Sequence, residues 1–448
     1  MKKLFLCLSF ICQLFCLQSG EFTVAATADL HGHLHNLSFL APAIRNAKPD
    51  LLLDAGDLTT GNLLSELDEG ASMIEALNML KVNFRIPGNH DFEMPSSRFE
   101  AQCARFKGTM LGADWQWGSV TPRPWAVITK GAFKVGVIGM TEPNVQRRFL
   151  PVPGMPRITF WQQALANAVT ALRKEKVHAL ILLWHCASDN RNHGPFQAAR
   201  LFPEIDLIIA AHSHKENPGS RCQSAYVVQP GSHANSAALV KFHYDDKTLK
   251  VGKITSSLLR KTSTPAPDLA ALEKRAVKPH YPKIFSKVCR KGDLSAANFP
   301  RLAARALAAA GGTQGAVFTS IIPDKQAANA NCYKDLFRLL PYWNPLCTVE
   351  LTKSELKAFL EDLHQNNRKF KRTTGIYGFR WTPGNRRSQG IFQSPEKIRI
   401  TVTNYAMTSS PVLKKLLNDP LRWSSLAVTE REVVAVFLRQ RLQQQGFR

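Results

Sequence analysis

The chain has 448 residues, of which 44% are hydrophobic and 21% are charged, and its formal net charge is +24. This composition is that of a globular protein of two or three domains, and it excludes a disordered chain. The strong positive charge favours anionic partners such as nucleic acid, phosphorylated small molecules or an anionic envelope surface. A basic surface that only keeps the protein soluble explains the charge equally well.

The N-terminus has the pattern of an export signal. Met1-Lys2-Lys3 is basic, the stretch 4–17 is apolar but too short to span a bilayer, and Gln18-Ser19-Gly20 offers small residues for cleavage. We therefore expect residues 1–20 to be a signal peptide and the mature chain to be periplasmic or extracellular. No later run reaches the roughly 18 apolar residues of a transmembrane helix. The sequence leaves the oligomeric state open.

Apolar runs in the first half of the chain alternate with helical segments and end in polar residues. The stretches 22–28, 51–53, 83–86, 135–140, 179–184 and 205–210 are predicted strands, and 63–80 and 161–175 are predicted helices. This alternation predicts an α/β fold, in which ligands bind at the carboxyl ends of the strands. The polar residues at those ends are Asp29, His31, Asp57, Asn89, His185, His212 and His214.

These seven side chains suit a pair of metal ions. Carboxylate, imidazole and amide oxygen ligands favour manganese, zinc, iron or cobalt. One ion takes about four protein ligands, so seven residues indicate two divalent ions that share a carboxylate. Two metals that lie roughly 3.5–4 Å apart form the clamp used to hydrolyse phosphate esters.

The spacing of these residues resembles a known family. The blocks with the order and spacing of the calcineurin-like metallophosphoesterases are Asp29-x-His31, Gly56-Asp57, Gly88-Asn89-His90-Asp91, His185 and His212-x-His214. The sequence around the first and third blocks is similar to the exported 5′-nucleotidase branch. The resemblance implies a four-layer αββα sandwich at 21–258, a linker at 259–283, and a smaller α+β substrate-binding domain at 284–448.

The resemblance also implies which residues share a metal. Asp57 would bridge the two ions. The ligands of one ion would be Asp29, His31 and His214, and those of the other would be Asn89, His185 and His212. The remaining histidines match no ligand position of the family and are predicted to be surface or structural residues; they are His33, His35, His178, His193, His233, His243, His280 and His364.

His90 lies beside a ligand but is not one in the family. A hydroxide between the metals would attack phosphorus in line, and His90 would stabilise the transition state or protonate the leaving oxygen. Glu93 matches the carboxylate that orients this histidine in the family. We expect Glu93, rather than the adjacent Asp91, to be its partner.

The C-terminal part resembles the 5′-nucleotidase substrate-binding domain more faintly. On that likeness Tyr342 and Tyr405 would stack a base between two rings, and Asn344 would make a polar contact; ordinary core or rim positions explain both tyrosines equally well. Two family segments are replaced. The stretch 406–411 stands where the family has its ribose-binding carboxylate, and 318–323 stands where it has a nucleotide-binding arginine.

The sequence favours an exported two-metal hydrolase of phosphate monoesters, similar to the 5′-nucleotidases. Within the enzymes, the alternatives are a phosphodiesterase, a cyclic-nucleotide hydrolase or another hydrolase of the superfamily with a non-nucleotide substrate. A further alternative is a protein that binds an anionic surface or nucleic acid, with secondary hydrolysis. From residue 288 onward the chain has 25 Lys and Arg against 11 Asp and Glu, which suits such binding.

Overall fold

The computed structural model describes residues 19–150, 154–321, 325–370, 372–378 and 396–444. The predicted signal peptide lies outside these residues, apart from its last two positions. Within the described ranges, none of the helices combines the length and the apolar composition needed to cross a bilayer.

The first part of the chain alternates strands with helices, as predicted. Its strands are β1 (Ser19–Thr27), β2 (Leu51–Asp54), β3 (Phe84–Arg85), β4 (Thr109–Met110), β5 (Trp115–Gln116), β6 (Trp125–Lys130), β7 (Phe133–Met140), β8 (Arg157–Ile158), β9 (Ala179–Trp184), β10 (Leu207–Ile209), β11 (Asn217–Cys222), β12 (Ala225–Gln229), β13 (Ser236–Asp245) and β14 (Val251–Arg260). Its helices are α1 (Leu34–Asn46), α2 (Leu63–Leu67), α3 (Ala71–Leu80), α4 (Ser96–Arg105), α5 (Trp161–Lys174), α6 (Pro195–Leu201), α7 (Pro267–Val277) and α8 (Tyr281–Ile284).

Twelve of these strands form two sheets that pack face to face. The first sheet has the order β14-β13-β1-β2-β3-β4, with β1 to β4 parallel. The second has the order β11-β12-β10-β9-β7-β6, with β7, β9, β10 and β12 parallel. Helices α1, α3, α4 and α7 cover the outer face of the first sheet, and α5 and α6 cover that of the second. The predicted four-layer αββα sandwich is confirmed.

The sequence of β2 shows how the layers arise. Leu51 and Leu53 point into the core between the two sheets, whereas Leu52 points into the core beneath the helices. Side chains alternate between the faces of a strand, and a strand covered on both faces needs an apolar residue at each position. A continuous leucine run therefore places β2 in the interior of the sandwich.

Helix α7 packs on the first part of the chain. Leu269 and Leu272 are buried in the core formed with α1 and α3. Asp268 accepts two hydrogen bonds, of 3.0 and 2.7 Å, from the guanidinium of Arg45. Much of the stretch predicted as a linker, 259–283, thus lies against the sandwich. The domain boundaries themselves stay a prediction.

The C-terminal part contains a second, smaller sheet. Its strands are β15 (Gly315–Ile321), β16 (Pro345–Thr352), β17 (Arg372–Tyr377), β18 (Lys397–Thr403) and β19 (Trp423–Thr429). Its helices are α9 (Phe299–Gly311), α10 (Tyr333–Leu339), α11 (Lys353–Phe370), α12 (Asn404–Ser409), α13 (Pro411–Lys414) and α14 (Glu430–Gln443). The strand order is β17-β15-β18-β16-β19, and only the β15–β18 pair is parallel. Helices cover both faces, which confirms the predicted α+β domain.

A buried ionic contact joins the two parts. The Glu66 carboxylate accepts hydrogen bonds of 3.3 Å from Arg98, in the sandwich, and from Arg431, in α14. All three side chains are at most 7% exposed. This contact fixes α14 against the end of the sandwich that carries the polar strand ends.

Candidate metal centre

The polar strand ends meet at one edge of the sandwich. Strands β1, β2 and β3 lie side by side in the first sheet, and β9 and β10 lie side by side in the second. Because these strands are parallel within each sheet, their carboxyl ends share an edge. Six of the seven predicted ligands, joined by His233, have ligand atoms within 4.8 Å of one another in three overlapping groups. The groups are Asp29, His31 and Asp57; Asp57, His185 and His212; and His31, His214 and His233.

Asp57 lies at the centre of the cluster. Its Oδ2 is 3.2 Å from Nε2 of His185 on one side and 3.8 Å from Nε2 of His31 on the other. Nε2 of His31 is in turn 3.1 Å from Nε2 of His214. Asp57 therefore faces both halves of the site, as a bridging ligand must. Asp29 also lies between them, because its Oδ1 is 3.9 Å from Nε2 of His185 and 3.8 Å from Nε2 of His214.

Hydrogen bonds behind the cluster fix the imidazole orientations. Nδ1 of His185 donates to the carbonyl of Ala55 at 2.7 Å, and Nδ1 of His31 donates to the carbonyl of Thr60 at 2.9 Å. Each bond occupies Nδ1 and leaves Nε2 facing the site. Although burial opposes it, Asp57 and Asp29 raise the pKa of His185 to about 10, so a metal bound at its Nε2 would displace a proton. Histidine ligands of metals are oriented in this way.

The loops at the strand ends are tightly curved. Asp29, His31, Asp57, His212 and His214 all have φ between 46° and 79°, in the left-handed region that residues other than glycine rarely adopt. Such residues cost about 1–3 kcal/mol each and persist only where the surrounding structure holds them. Backbone bonds across the loops do so: Asp29 N–H donates to Gly56 O, and His31 N–H donates to Asp57 O, both at 2.9 Å.

Gly88 lets the third loop approach this cluster. A Cβ at Gly88 would lie 2.2 Å from Oδ1 of Asp57 and 2.5 Å from Cε1 of His185. The backbone N–H of His90, two residues further along the chain, donates to the same Asp57 oxygen at 2.8 Å. Only glycine fits at position 88, and its neighbour Asn89 is thereby carried to the Asp57 and His185 side of the site.

Asn89 supplies the test of whether a metal fits. Its side chain is 1% exposed, and neither its Oδ1 nor its Nδ2 has a hydrogen-bond partner within the described ranges. A buried amide without a partner costs about 1–3 kcal/mol. An oxygen-binding cation beside Asp57 and His185 would satisfy the Asn89 carbonyl, so the residues present fit a divalent metal.

The charges in the cluster are strongly coupled. Although burial disfavours its ionised form, His185, His90 and His31 hold the pKa of Asp57 well below its usual value. Burial and nearby Asp57 raise the pKa of Asp29 to about 7, against the influence of His185. Burial lowers the pKa of His31 to about 3. His31 is thus neutral and Asp57 ionised, which are the forms that bind metals.

His90 contacts Glu93 and not Asp91. Nδ1 of His90 is 2.8 Å from Oε2 of Glu93, across the single 3₁₀ turn His90–Phe92. Burial favours neutral His90, but the carboxylates of Glu93 and Asp57 outweigh it and raise the pKa of His90 to about 9. Asp91 points the other way. It is fully buried and accepts hydrogen bonds from Gly88 N–H at 2.8 Å and Asp57 N–H at 2.9 Å.

Of the three predicted substrate residues, Tyr342 reaches the cluster. Its ring stacks on His90, with centroids 5.5 Å apart and an interplanar angle of 18°. Asn344 donates from Nδ2 to Oε1 of Glu430 at 3.2 Å and holds the start of α14. Tyr405 lies in the first turn of α12 and is 44% exposed.

The sequence missed His233. Its ring centroid is 5.4 Å from that of His31 and 5.3 Å from that of His214, and it is not a remote surface residue. Burial, with His33 and His214 nearby, lowers the pKa of His233 to about 4. His33 also lies at the site, where its ring packs on His233 at 4.3 Å. Its position in the sequence could have revealed it, because His233 follows β12 just as the predicted ligands follow their strands.

The chain is similar in sequence and in fold to known phosphoesterases. The calcineurin-like phosphoesterase family matches residues 22–216. The chain is 26% identical over 225 residues to protein UshA of Salmonella pullorum, covering 44% of this chain and 41% of that protein. It is 26% identical over 243 residues to a 5′-nucleotidase of Vibrio cholerae, covering 47% of this chain and 43% of that protein. The crystal structure of a 5′-nucleotidase precursor from Thermus thermophilus superposes with a TM-score of 0.68 at 18% identity, over 94% of this chain and 96% of that one.

Residues 22–216 therefore match the calcineurin-like phosphoesterase family and form a metallophosphoesterase domain. Over less than half of its length, the chain is similar in sequence to the UshA and 5′-nucleotidase proteins. The alignments span about two-fifths of the length of these relatives. The structural likeness extends the shared fold through the C-terminal domain.

Proposed function

We propose that this protein is an exported two-metal hydrolase of phosphate monoesters. The observation that carries the proposal is the buried Asp57 carboxylate between two sets of imidazoles, with an Asn89 amide that has no hydrogen-bond partner among the described residues. A single metal would leave part of this ligand set unused. Two divalent ions account for all of it.

Each residue of the cluster has a role in holding these ions. Asp29, His31 and His214 hold one ion, and Asn89, His185 and His212 hold the other. Asp57 is shared between them. When bound, the ions supply Lewis-acid stabilisation of the phosphoryl oxygens and a water activated at neutral pH.

His90 assists the reaction from the side of the cluster. The Glu93 carboxylate favours the protonated ring, which can donate a hydrogen bond to a phosphoryl oxygen or a proton to the leaving oxygen. Glu93 acts on the substrate only through His90, as a positioning residue. Because Glu93 contacts Nδ1, Nε2 of His90 is the atom left to face the substrate.

The substrate that we favour is a nucleotide. The Vibrio cholerae relative is a 5′-nucleotidase, and the ring of Tyr342 stands beside His90, where it can stack on a base. Tyr405 and Asn344 complete the substrate-binding set as first predicted from the sequence. Asn344 takes part in substrate binding if its side chain leaves Glu430 or if it contacts the substrate indirectly.

A second candidate is a phosphomonoesterase or phosphodiesterase with a non-nucleotide substrate. The observation in its favour is the sequence at 406–411, which lacks the ribose-binding carboxylate expected from the resemblance. The basic C-terminal domain suits any anionic substrate and also an anionic envelope surface. Export to the periplasm or beyond rests on the N-terminal sequence pattern.

Phosphate release distinguishes these candidates. The purified protein is incubated with manganese, zinc or cobalt and with AMP, p-nitrophenyl phosphate or bis-p-nitrophenyl phosphate, and chelator-treated protein is the control. Preferential hydrolysis of AMP supports the nucleotidase. Hydrolysis of only the nitrophenyl esters supports the second candidate. Absence of hydrolysis from protein with two bound metals contradicts both.

A further inference from the structure

His233 enters the site on a loop that the fold holds in place. Strand β12, which precedes it, pairs in parallel with β10, which precedes His212, so both loops leave the second sheet at the same edge. The N–H of His233 donates to the carbonyl of Asp29 at 2.7 Å. Asn36 donates from Nδ2 to the carbonyl of His233 at 2.9 Å. These two bonds tie the loop to Asp29, in the first ligand block, and to the first turn of α1, which follows that block.

The backbone of this loop resembles that of the predicted ligands. His233 and Ala234 both have a φ of 55°, in the left-handed region. Two successive residues in that region without glycine cost about 1–3 kcal/mol each. The same conformation occurs at five predicted metal ligands.

The imidazole of His233 reaches the histidines on one side of the centre. Ring nitrogens of His31, His214 and His233 all lie within 4.8 Å of one another. Nitrogens that share one tetrahedral zinc at about 2.1 Å are about 3.4 Å apart, so the three rings need to close by at most about 1.4 Å to share one ion. The ring of His33 packs on that of His233, with centroids 4.3 Å apart, and limits the movement of the His233 ring.

We propose that His233 is an additional protein ligand of the metal held by Asp29, His31 and His214. The inference rests on the two-metal centre of the proposed function, which it deepens. It makes this half of the centre a three-imidazole site beside the carboxylates of Asp29 and Asp57, whereas the other half has two imidazoles and an amide. Nitrogen-rich sites favour zinc over manganese or magnesium, so the two halves differ in their metal preference.

The backbone contribution of His233 can be separated from its side chain. Its N–H still bonds to Asp29 in any non-proline variant. Asparagine is tolerated in the left-handed region, so His233→Asn keeps the loop conformation and removes the imidazole. The matched control is His243→Asn, on β13, where the ring contacts Thr255 and Glu21 and lies in none of the metal-binding groups.

Metal content and affinity test the assignment without reference to activity. Wild-type protein and both variants are titrated with zinc against a chromophoric chelator, analysed for bound metal, and loaded with cobalt to record the visible absorption of the metal. We expect the wild type and His243→Asn to bind two ions. His233→Asn should bind one ion normally and the other more weakly, by more than the roughly 10- to 100-fold that loss of an outer-shell partner causes, with a changed cobalt spectrum.

The proposal would be overturned if His233→Asn bound both metal ions with the affinities of the wild type and gave an unchanged cobalt spectrum. It would also be overturned by a wild-type protein that takes up no metal. A selective loss of one ion in His233→Asn supports the ligand role even if the wild type hydrolyses no phosphate ester, because only the proposed function would fail in that case.

Discussion

The carboxylate of Glu93 and the imidazole of His90 form a pair, with Oε2 of Glu93 2.8 Å from Nδ1 of His90. The side chain between them in sequence, Asp91, turns into the interior and bonds to the backbone of the neighbouring loops. The 3₁₀ turn brings residues three positions apart onto one side. Glu93, three residues after His90, therefore contacts the histidine, whereas the adjacent Asp91 does not.

Replacement of Glu93 by glutamine should weaken catalysis and shift its pH dependence. His90 is protonated below its pKa, and the loss of a neighbouring carboxylate lowers that pKa. The alkaline fall in kcat should therefore move to lower pH in Glu93→Gln. The loss of kcat at neutral pH should be smaller than the roughly 10²-fold effect of removing a general acid. A pH profile of kcat that coincides with that of the wild type would contradict the pairing.

Asp91 has a structural role, in contrast to Glu93. It is fully buried and lies 3.3 Å from the guanidinium of Arg85, which is itself fully buried. Removal of one partner of a buried ion pair costs about 3–5 kcal/mol where it leaves the other charge uncompensated. Asp54 lies 3.9 Å from Arg85 and compensates part of its charge. Asp91→Asn should therefore lower the free energy of unfolding, measured with urea, by an amount up to about that size.

Glu75→Gln is the control for Asp91→Asn, because it breaks an exposed ion pair with Arg275, which should contribute about 0–1 kcal/mol. If Asp91→Asn unfolds like the wild type but shows the shifted pH profile expected of Glu93→Gln, the roles of the two carboxylates are reversed.

Much of the candidate site follows from short-range sequence information. A predicted ligand such as His185 stands directly after an apolar strand, and the ends of parallel strands meet by geometry alone. His233 was missed because its approach to His31 depends on the pairing of β12 with β10 and on a bond to Asp29, some 200 residues away in the chain. The contact of Tyr342 with His90 depends likewise on the packing of two domains.

Tyr342 should act on substrates that carry a base. Its ring stacks on His90 from the C-terminal domain. Tyr342→Ala should weaken binding of AMP by about 1–3 kcal/mol, the usual contribution of a base stacked on an aromatic ring, and Tyr342→Phe should retain it. Steady-state KM values for AMP and for glycerol 2-phosphate, which has no base, provide the measurement. Equal changes in KM for both substrates in Tyr342→Ala would contradict base stacking.

Asp114 gives the fold a pH dependence that can be isolated. Its Oδ1 accepts from the N–H of Thr141 at 3.1 Å, and Thr141 in turn donates to the carbonyl of Pro87 at 2.9 Å. Burial raises the pKa of Asp114 to about 8, from an ordinary value of 3.8. The folded state therefore binds an extra proton between these values, and its stability falls as pH rises through this window.

Asp114→Asn removes the titrating group. The free energy of unfolding of this variant, relative to that of the wild type, should increase between pH 5 and pH 8, because only the wild type loses stability there. Urea unfolding at the two pH values measures the difference. A constant difference would show that Asp114 is ionised in the folded protein.

If a two-metal centre hydrolyses phosphate esters with the help of His90, loss of His90 and loss of the metals should have separable effects. The most direct test measures kcat for p-nitrophenyl phosphate and bound metal together, in the wild type, His90→Ala and Asp57→Asn. We expect His90→Ala to retain both metals and to lose about 10²- to 10⁴-fold in kcat, whereas Asp57→Asn should lose metal and activity together. Wild-type turnover in His90→Ala would rule out the role of His90, and full activity in metal-depleted Asp57→Asn would rule out the two-metal mechanism.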